Sequence, residues 1–464
     1  MSDKKENTPQ GNSDSNPKND QNKNRNRNRN RNRNRKPKEN IAASDGEKTS
    51  TKPEEEANNR NRNRNRNRNR NRNKQKGPVK DVKASPLSDK ESTFLQEQSE
   101  MFSENVKLGE IQARTAVVLE KPTIGITCGD LNGIGFELII KTLENKEILD
   151  LCTPVIFSSS KVASYHKNAL DKREFNFFIC NSIEDVREKK LNLINTWEDN
   201  VELNLGTPTD VSGAYALKSI DAAISAAKAG KIDAILTAPI NKHNIAQSLE
   251  GFKGHTGYLS ESFGDDVLMI LSSEELKVAT VTGHVPISQV AESLSIEKIT
   301  SSIKLLAQSL KRDFCIVNPS IAVLGLNPHA GEMGTIGVEE EEMIKHAIEN
   351  ASDIQAIVKG PFPADGFFGQ GYDTKFDAVL GMYHDQVLVP FKALAMGRGT
   401  NFTSGLSVVR TSPDHGTAMH LAGKNKANEH SFRSALFTAI DVVNNRKAFD
   451  EMTANPIKKQ NDKR

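Results

Sequence analysis

The chain has 464 residues, of which 36% are hydrophobic, 27% charged and 5% aromatic, a length that allows two or three domains. Its net charge of +3 hides a division: residues 1–100 hold 26 Lys and Arg against 15 Asp and Glu, and the remainder holds 37 against 45. No run of about 18 apolar residues occurs, and the start, MSDKKENTPQ, is charged, so a membrane span and a signal peptide are not expected.

The basic region comes first. Residues 1–80 offer only Met1, Ile41, Ala42, Ala43, Ala57 and Val79 as apolar side chains. That is too little burial to offset a backbone entropy cost of about 1–2 kcal/mol per ordered residue, and residues 1–93 are expected to form a disordered tail. Two Asn-Arg arrays, Asn24 to Arg35 and Asn59 to Arg72, carry 13 arginines between them. In an extended chain alternate residues lie about 6–7 Å apart on one side, so the guanidinium groups could line up along polyanion phosphates, such as those of RNA, and bind by counterion release. The alternative is a solvated tail with no ligand, favoured by the lack of aromatic residues for base stacking over residues 1–93. Residues 94–120 read as a linker or short amphipathic helix.

From Lys121 the pattern changes to short apolar runs alternating with helical periods. Strands are predicted at Thr123–Thr127, Val155–Ser159, Phe175–Cys180, Ala234–Ala238, Val267–Leu271, Val278–Thr282, Ile321–Leu326, Ala356–Val358 and Ala378–Met382. Helices are predicted at Phe136–Asn145, Ala214–Ala229, Ile296–Leu310, Val338–Asn350 and Ser431–Val443. Such alternation implies an α/β fold around a largely parallel sheet. Residues 121–450 exceed one comfortable core, which predicts two lobes with a cleft, followed by a disordered end over 451–464. Cys128, Cys152, Cys180 and Cys315 lie far apart with no C-x-x-C pair, so neither a disulfide framework nor a zinc ribbon is expected and a reducing cytoplasm fits.

Four clusters sit near predicted strand ends, where open α/β sheets bind ligands. The first, Thr127 to Gly135, is a Gly-rich strand-to-helix turn in which Gly129, Asp130, Gly133 and Gly135 could form an anion or cofactor loop. It lacks a G-x-G-x-x-G pattern, and a ligand-free tight turn is the other reading. The second joins Thr237 to Lys242 with Gly254, His255 and Thr256, a donor-rich set suited to an anion. The third is three loop histidines, His284, His329 and His384, a donor set suited to zinc or another divalent ion if they converge, and otherwise ordinary hydrogen-bonded residues. The fourth, Lys392, Asn401 and Arg410, offers cations for a carboxylate and a phosphate.

The segments GITCGDLNGIGFE, TAPINK, GHTGYLSE, GLNPHAGEMGTIGVEE, KGPFPADGFF, DAVLGMYHDQVLVPFK and NFTSGLSVVRTSPDHGTAMHLAG, in this order, resemble the motifs of the 4-hydroxythreonine-4-phosphate dehydrogenase family over about Pro122 to Phe449. The resemblance implies a two-lobed three-layer fold similar to isocitrate and isopropylmalate dehydrogenases, and a homodimer with a shared active site. It implies NAD-dependent oxidation (NADP being open) of 4-phosphohydroxy-L-threonine at C3, then decarboxylation to 3-amino-2-oxopropyl phosphate, in pyridoxine 5'-phosphate synthesis. By motif match the metal ligands (for Zn, Mg or Co) fall on His284, His329 and His384, and substrate contacts on His255, Thr256, Lys392, Asn401 and Arg410. Leu131, Asn132 and Phe136 depart from the family's GDPAGIGPE pattern, and Gly334-Thr335-Ile336 replaces its GHM.

A general base is also required, and Lys392 or Asp385 could supply it. Two alternatives remain: a dehydrogenase of a related phosphorylated four-carbon acid, threonate or erythronate 4-phosphate, or an RNA-binding protein with an inactive dehydrogenase body.

Overall fold

The computed structural model describes residues 120–455; the Asn-Arg arrays and the segment 94–119 lie outside them. Twelve strands form one sheet: β1 (Thr123–Thr127), β2 (Thr153–Ser158), β3 (Phe178–Cys180), β4 (Asn192–Asn195), β5 (Ala234–Thr237), β6 (Leu268–Ser272), β7 (Lys277–Thr280), β8 (Ser320–Leu324), β9 (Ile357–Phe362), β10 (Ala378–Gly381), β11 (Thr400–Ser404) and β12 (Val409–Pro413). The order is β3-β4-β2-β1-β5-β12-β11-β6-β7-β10-β8-β9. The two arms are parallel, as the alternation predicts. At the centre β11 runs antiparallel to both β12 and β6, and β6 runs antiparallel to β7.

The main helices are α1 (Gly135–Leu143), α2 (Ser160–Ala169), α3 (Asp210–Lys228), α4 (Lys242–Ala246), α5 (His255–Phe263), α6 (Ile296–Arg312), α7 (His384–Ala395) and α8 (His430–Thr453). Sequence periodicity places α1, α3 and α6 within a few residues, and the start of α8, which runs ten residues beyond the predicted Val443. It places the final boundary at 450, whereas α8 continues to Thr453. The predicted helix Val338–Asn350 is a single π turn, Glu340–Ile344, running into a short α-helix, Lys345–Asn350.

Successive strand residues point to opposite faces, and the apolar ones sort accordingly. Ile124 and Ile126 of β1, Ala234 and Leu236 of β5, Ile321 and Val323 of β8, and Ala378 and Leu380 of β10 enter one continuous core. Helices α1, α6 and α8 cover it; in α6 the buried Ile299, Ile303, Leu306 and Leu310 recur at helical spacing. On the opposite face there are two separate cores. Val155, Phe157 and Ile235 pack under α3, through Ile220, Ala223 and Ile224. Ala322, Leu324 and Val379 pack under α7, through Val387, Leu388 and Phe391. One shared core with two separate cores behind it is the physical content of two lobes in three layers.

Charge enters the interior where it is matched. Arg446 of α8 donates from Nε to Asp313 Oδ1 at 2.6 Å and from Nη1 to the carbonyls of Leu406 and Ser407 at 3.1 Å. All four cysteines are free thiols, three of them buried. Among the described residues no helix is long and apolar enough to cross a membrane. Replacing Arg446→Met strands the nearly buried Asp313 carboxylate, so we predict a loss of about 3 kcal/mol of unfolding free energy. Urea denaturation measures it, and an unchanged midpoint would contradict the pairing.

Candidate active site

The gap between the two separate cores is a cleft of about 960 Å³. Arg410 follows the core residue Val409, Asn401 precedes Phe402, Thr237 follows Leu236 and Thr280 follows Ala279, so each side chain leaves the shared core for the cleft face. The antiparallel centre of the sheet thus forms the floor. Helix α5, starting at His255, the loop after β7, bearing His284, and the start of α7 at His384 supply the rim.

Arg410 is 2% exposed and is held by hydroxyl groups instead of a carboxylate. Its Nη2 donates to Thr237 Oγ1 at 2.8 Å, and its Nη1 to Thr403 Oγ1 at 3.0 Å and Thr256 Oγ1 at 3.5 Å. Burial pushes its pKa down to about 9, which leaves it cationic at neutral pH. His255 is held well below the usual imidazole range by burial first, then by the charges of Arg410 and Lys242. It is therefore neutral at pH 7. Arg410 Nε, His255 Nε2 and Asn401 Oδ1 are buried and meet no partner among the described residues. Buried polar groups normally find partners; three orphans around one cleft mark a ligand surface.

At the other end the rings of His284 and His384 lie 5.3 Å apart. His384 Nδ1 bonds Asp385 Oδ1 at 2.7 Å, which leaves Nε2 as the free nitrogen, the orientation that a carboxylate imposes on metal-binding histidines. Burial, then Lys242 and His384, lower His284, favouring the neutral form that a metal requires. Lys392 bridges to Asp414, 3.0 Å from its Oδ1 and donating to its carbonyl at 3.2 Å.

Of the residues singled out from sequence, His255, Thr256, His284, His384, Lys392, Asn401 and Arg410 line this one cleft. Asp385 stands behind His384. His329 does not line it: it is exposed on the turn Pro328–Gly334, where five consecutive residues, His329 to Met333, have positive φ. Among the described residues no group of three or more His, Cys, Asp or Glu side chains gathers as a metal site, so one chain brings together two imidazoles of the expected three.

The Gly-rich loop lies outside the cleft lining. Gly129, Asp130, Gly133 and Gly135 are buried and none lines the cleft. A Cβ at Gly129 would meet Pro239 O at 2.5 Å and one at Gly135 would meet Cys128 O at 2.4 Å. Asp130 spends its oxygens on Asn132 N at 3.0 Å and Asn244 Nδ2 at 3.1 Å. These glycines serve close packing, and the loop braces the cleft wall from behind. Lys242 and Thr237, which the sequence reading left inside a general donor set, prove to be cleft residues in their own right. The signal was the unbroken TAPINK run at a strand end.

The family model described as pyridoxal phosphate biosynthetic protein PdxA matches residues 150–439. A 4-hydroxythreonine-4-phosphate dehydrogenase of Bacteroides thetaiotaomicron is 46% identical over 342 residues, covering 73% of this chain and 94% of the relative. A protein of Oceanobacillus iheyensis, provisionally named D-threonate 4-phosphate dehydrogenase, is 38% identical over 70% of this chain and 98% of its own. Among solved structures, the 4-hydroxythreonine-4-phosphate dehydrogenase of Klebsiella pneumoniae has a TM-score of 0.61 at 31% identity, covering 70% of this chain and 98% of that one.

The brace itself is testable. His166 of α2 is buried, stacks on Phe136 with ring centroids 4.9 Å apart and bonds the Leu131 carbonyl at 2.9 Å through Nε2. Burial lowers its pKa to about 4. The unfolded chain binds a proton near pH 6.5 and the native one does not until about 4, so stability is fully present above 6.5 and falls as pH drops through that window. At 1.36 kcal/mol per pH unit, we expect about 3 kcal/mol of this dependence to disappear in His166→Gln. Urea melts of both proteins across pH 7 to 4 test this; identical slopes would refute it.

Proposed function

The chain belongs to the pyridoxal phosphate biosynthetic protein PdxA family, and on that premise we propose that it oxidises 4-phosphohydroxy-L-threonine at C3 with NAD and decarboxylates the product to 3-amino-2-oxopropyl phosphate. Dehydrogenase activity in pyridoxal phosphate biosynthesis is common ground with its relatives. The observation carrying the finer reading is the polarity of the cleft, with a buried uncompensated arginine at one end and a pair of imidazoles at the other.

Arg410, held square by Thr237 and Thr403, presents a fixed fork suited to phosphate. Neutral His255 completes the grip through its unpartnered Nε2, while the unpartnered Asn401 Oδ1 is an acceptor and would take a donor of the substrate instead. His284 and His384, with Asp385 orienting the latter, would hold a divalent ion. When bound, that ion supplies Lewis acidity at the C3 oxygen, and the nicotinamide supplies the hydride acceptor. Asp385 is committed to His384 and Lys392 to Asp414, so both fix neighbouring groups in place.

The third ligand, His329, is proposed to come from a second copy. Met333 on its turn is 91% exposed and Ile287 beside His284 is 71% exposed, apolar surface that a partner would cover. A homodimer with shared sites follows from this reading. The alternative, D-threonate 4-phosphate as substrate, is favoured by the similarity to the Oceanobacillus iheyensis protein. It keeps every group above and changes only the contact to C2.

The test is NADH formation by purified protein given 4-phosphohydroxy-L-threonine, NAD, and either divalent metal or chelator. We expect metal-dependent turnover, reduced at least about 100-fold in His284→Ala, His384→Ala and His329→Ala, the scale of a lost transition-state charge partner. Mixing His284→Ala with His329→Ala should restore part of the activity through hybrid dimers. Turnover with D-threonate 4-phosphate alone would move the substrate, and none with either would overturn the reading.

A further inference from the structure

Glutamates follow the His329 turn in an unbroken row from Glu339 to Glu342, and of these Glu340 alone is buried, at 1% exposure. A buried carboxylate must be paired or hydrogen-bonded. No cation pairs with Glu340 among the described residues, and its oxygens are taken by Asn327 instead. Oε1 accepts from Asn327 N at 2.7 Å and Oε2 from Asn327 Nδ2 at 2.9 Å, while Glu339 Oε2 accepts from the same Nδ2 at 2.7 Å.

The grip closes beyond the histidine as well. A Cβ on Gly331 would stand 2.6 Å from Glu340 Oε2, and one on Gly325 would stand 2.9 Å from Oε1. Glycine at both places lets the backbone lie against the carboxylate. Asn327 precedes His329 by two residues and Gly331 follows it by two, so one side chain braces both limbs of the turn. The histidine itself is left exposed at the crown.

Such a turn needs holding. His329, Ala330, Gly331, Glu332 and Met333 have φ between +43 and +77, and all but Gly331 carry a Cβ that disfavours this left-handed region. Backbone bonds close it only at Ala330 N to the Asn327 carbonyl, 3.1 Å, Thr335 N to the Glu332 carbonyl, 3.2 Å, and Ile336 N to the Gly331 carbonyl, 3.1 Å, among the described residues. Backbone in sparsely populated regions persists where its surroundings over-determine it, and it clusters at functional sites. The π turn that carries Glu340 is a second departure of that kind, beside the first.

We propose that Glu340 is a positioning residue, whose buried carboxylate fixes the turn that presents His329 to the histidine pair of a second copy of this chain, an inference that rests on the shared-site reading above. Glu340 acts only through His329, and therefore only on the site to which its own chain lends that histidine. The root of the turn is held independently: Gly325 N donates to the Phe362 carbonyl at 2.8 Å, and Gln386 Nε2 donates to the Gly325 carbonyl. Removing the carboxylate thus loosens the crown and leaves the turn attached to β9 and α7.

The experiment co-expresses differently tagged full chains, isolates hybrid dimers through both tags, strips them with chelator and measures zinc affinity alongside turnover. We expect the Glu340→Ala homodimer to lose at least about 10-fold in zinc affinity and in kcat, and Glu340→Gln, whose oxygen still accepts from Asn327, to lose less. The hybrid of Glu340→Ala with His284→Ala should regain a tight zinc site and up to about half of wild-type turnover, since the sound turn of one chain then meets the sound histidine pair of the other. The hybrid of Glu340→Ala with His329→Ala should stay at the level of the Glu340→Ala homodimer. A merely structural role weakens both hybrids alike. Recovery with His329→Ala, no recovery with His284→Ala, or a Glu340→Ala homodimer within about threefold of wild type in both readouts overturns the proposal. If Glu340→Ala yields no dimer, Glu340→Leu, which fills the space without acceptors, carries the same pairings. The hybrid of His284→Ala with His329→Ala is the control: if it regains no site, the shared-site reading falls and this proposal with it, whereas a recovering control with the wrong Glu340 pattern overturns this proposal alone.

Discussion

A pleated strand has two faces, and in this sheet the two faces carry different obligations. One is apolar from edge to edge and makes a single core with α1, α6 and α8. The other is apolar only under α3 and under α7. Between those patches the outward positions of β5, β7, β11 and β12 are Thr237, Thr280, Asn401 and Arg410. The cleft exists because the apolar register is kept on one side of these strands and given up on the other. A one-residue slip in β12 would turn Arg410 into the shared core and bring Val409 to the cleft.

Burying an arginine without a carboxylate is costly, and here hydroxyl groups and a neutral histidine surround it. Neutral partners solvate the guanidinium without cancelling its charge, so it remains attractive to an anion. Lys392, beside Asp414, has been cancelled. The same logic separates the two aspartates near the site: Asp385 orients a ring, and Asp130 ties loop to helix.

Much of this was legible in the chain. The apolar strands of the two arms and the amphipathic helices announce themselves because their burial is one-sided or complete. The strands that were not foreseen are β4, β11 and β12. In β11, Thr-Asn-Phe-Thr-Ser, only Phe402 is apolar, and β12 contains Arg410 and ends in Pro413. Those polar residues look like loop by composition; Asn401, Arg410 and Ser412 line the cleft, and Thr403 holds Arg410. Helix α7 was hidden by Pro390 and α5 by its Gly, Ser and Thr content. The Gly-rich loop reads both ways in the chain, since glycine permits close packing as readily as ligand approach. Seven of the residues singled out from ordered motifs line one cleft, but motifs carry no distances, and nothing in them separates His329 from His284 and His384.

The centre of the sheet also has a mechanical meaning. β6 and β11 pair over five residues, Thr400 opposite Ser272 through to Ser404 opposite Leu268, so the two arms are joined by a hydrogen-bonded ladder and not by a flexible loop. A change in the width of the cleft must then be absorbed as twist and shear spread over these strands. Such a joint ties the spacing of the cleft walls to the twist of the strands that form its floor.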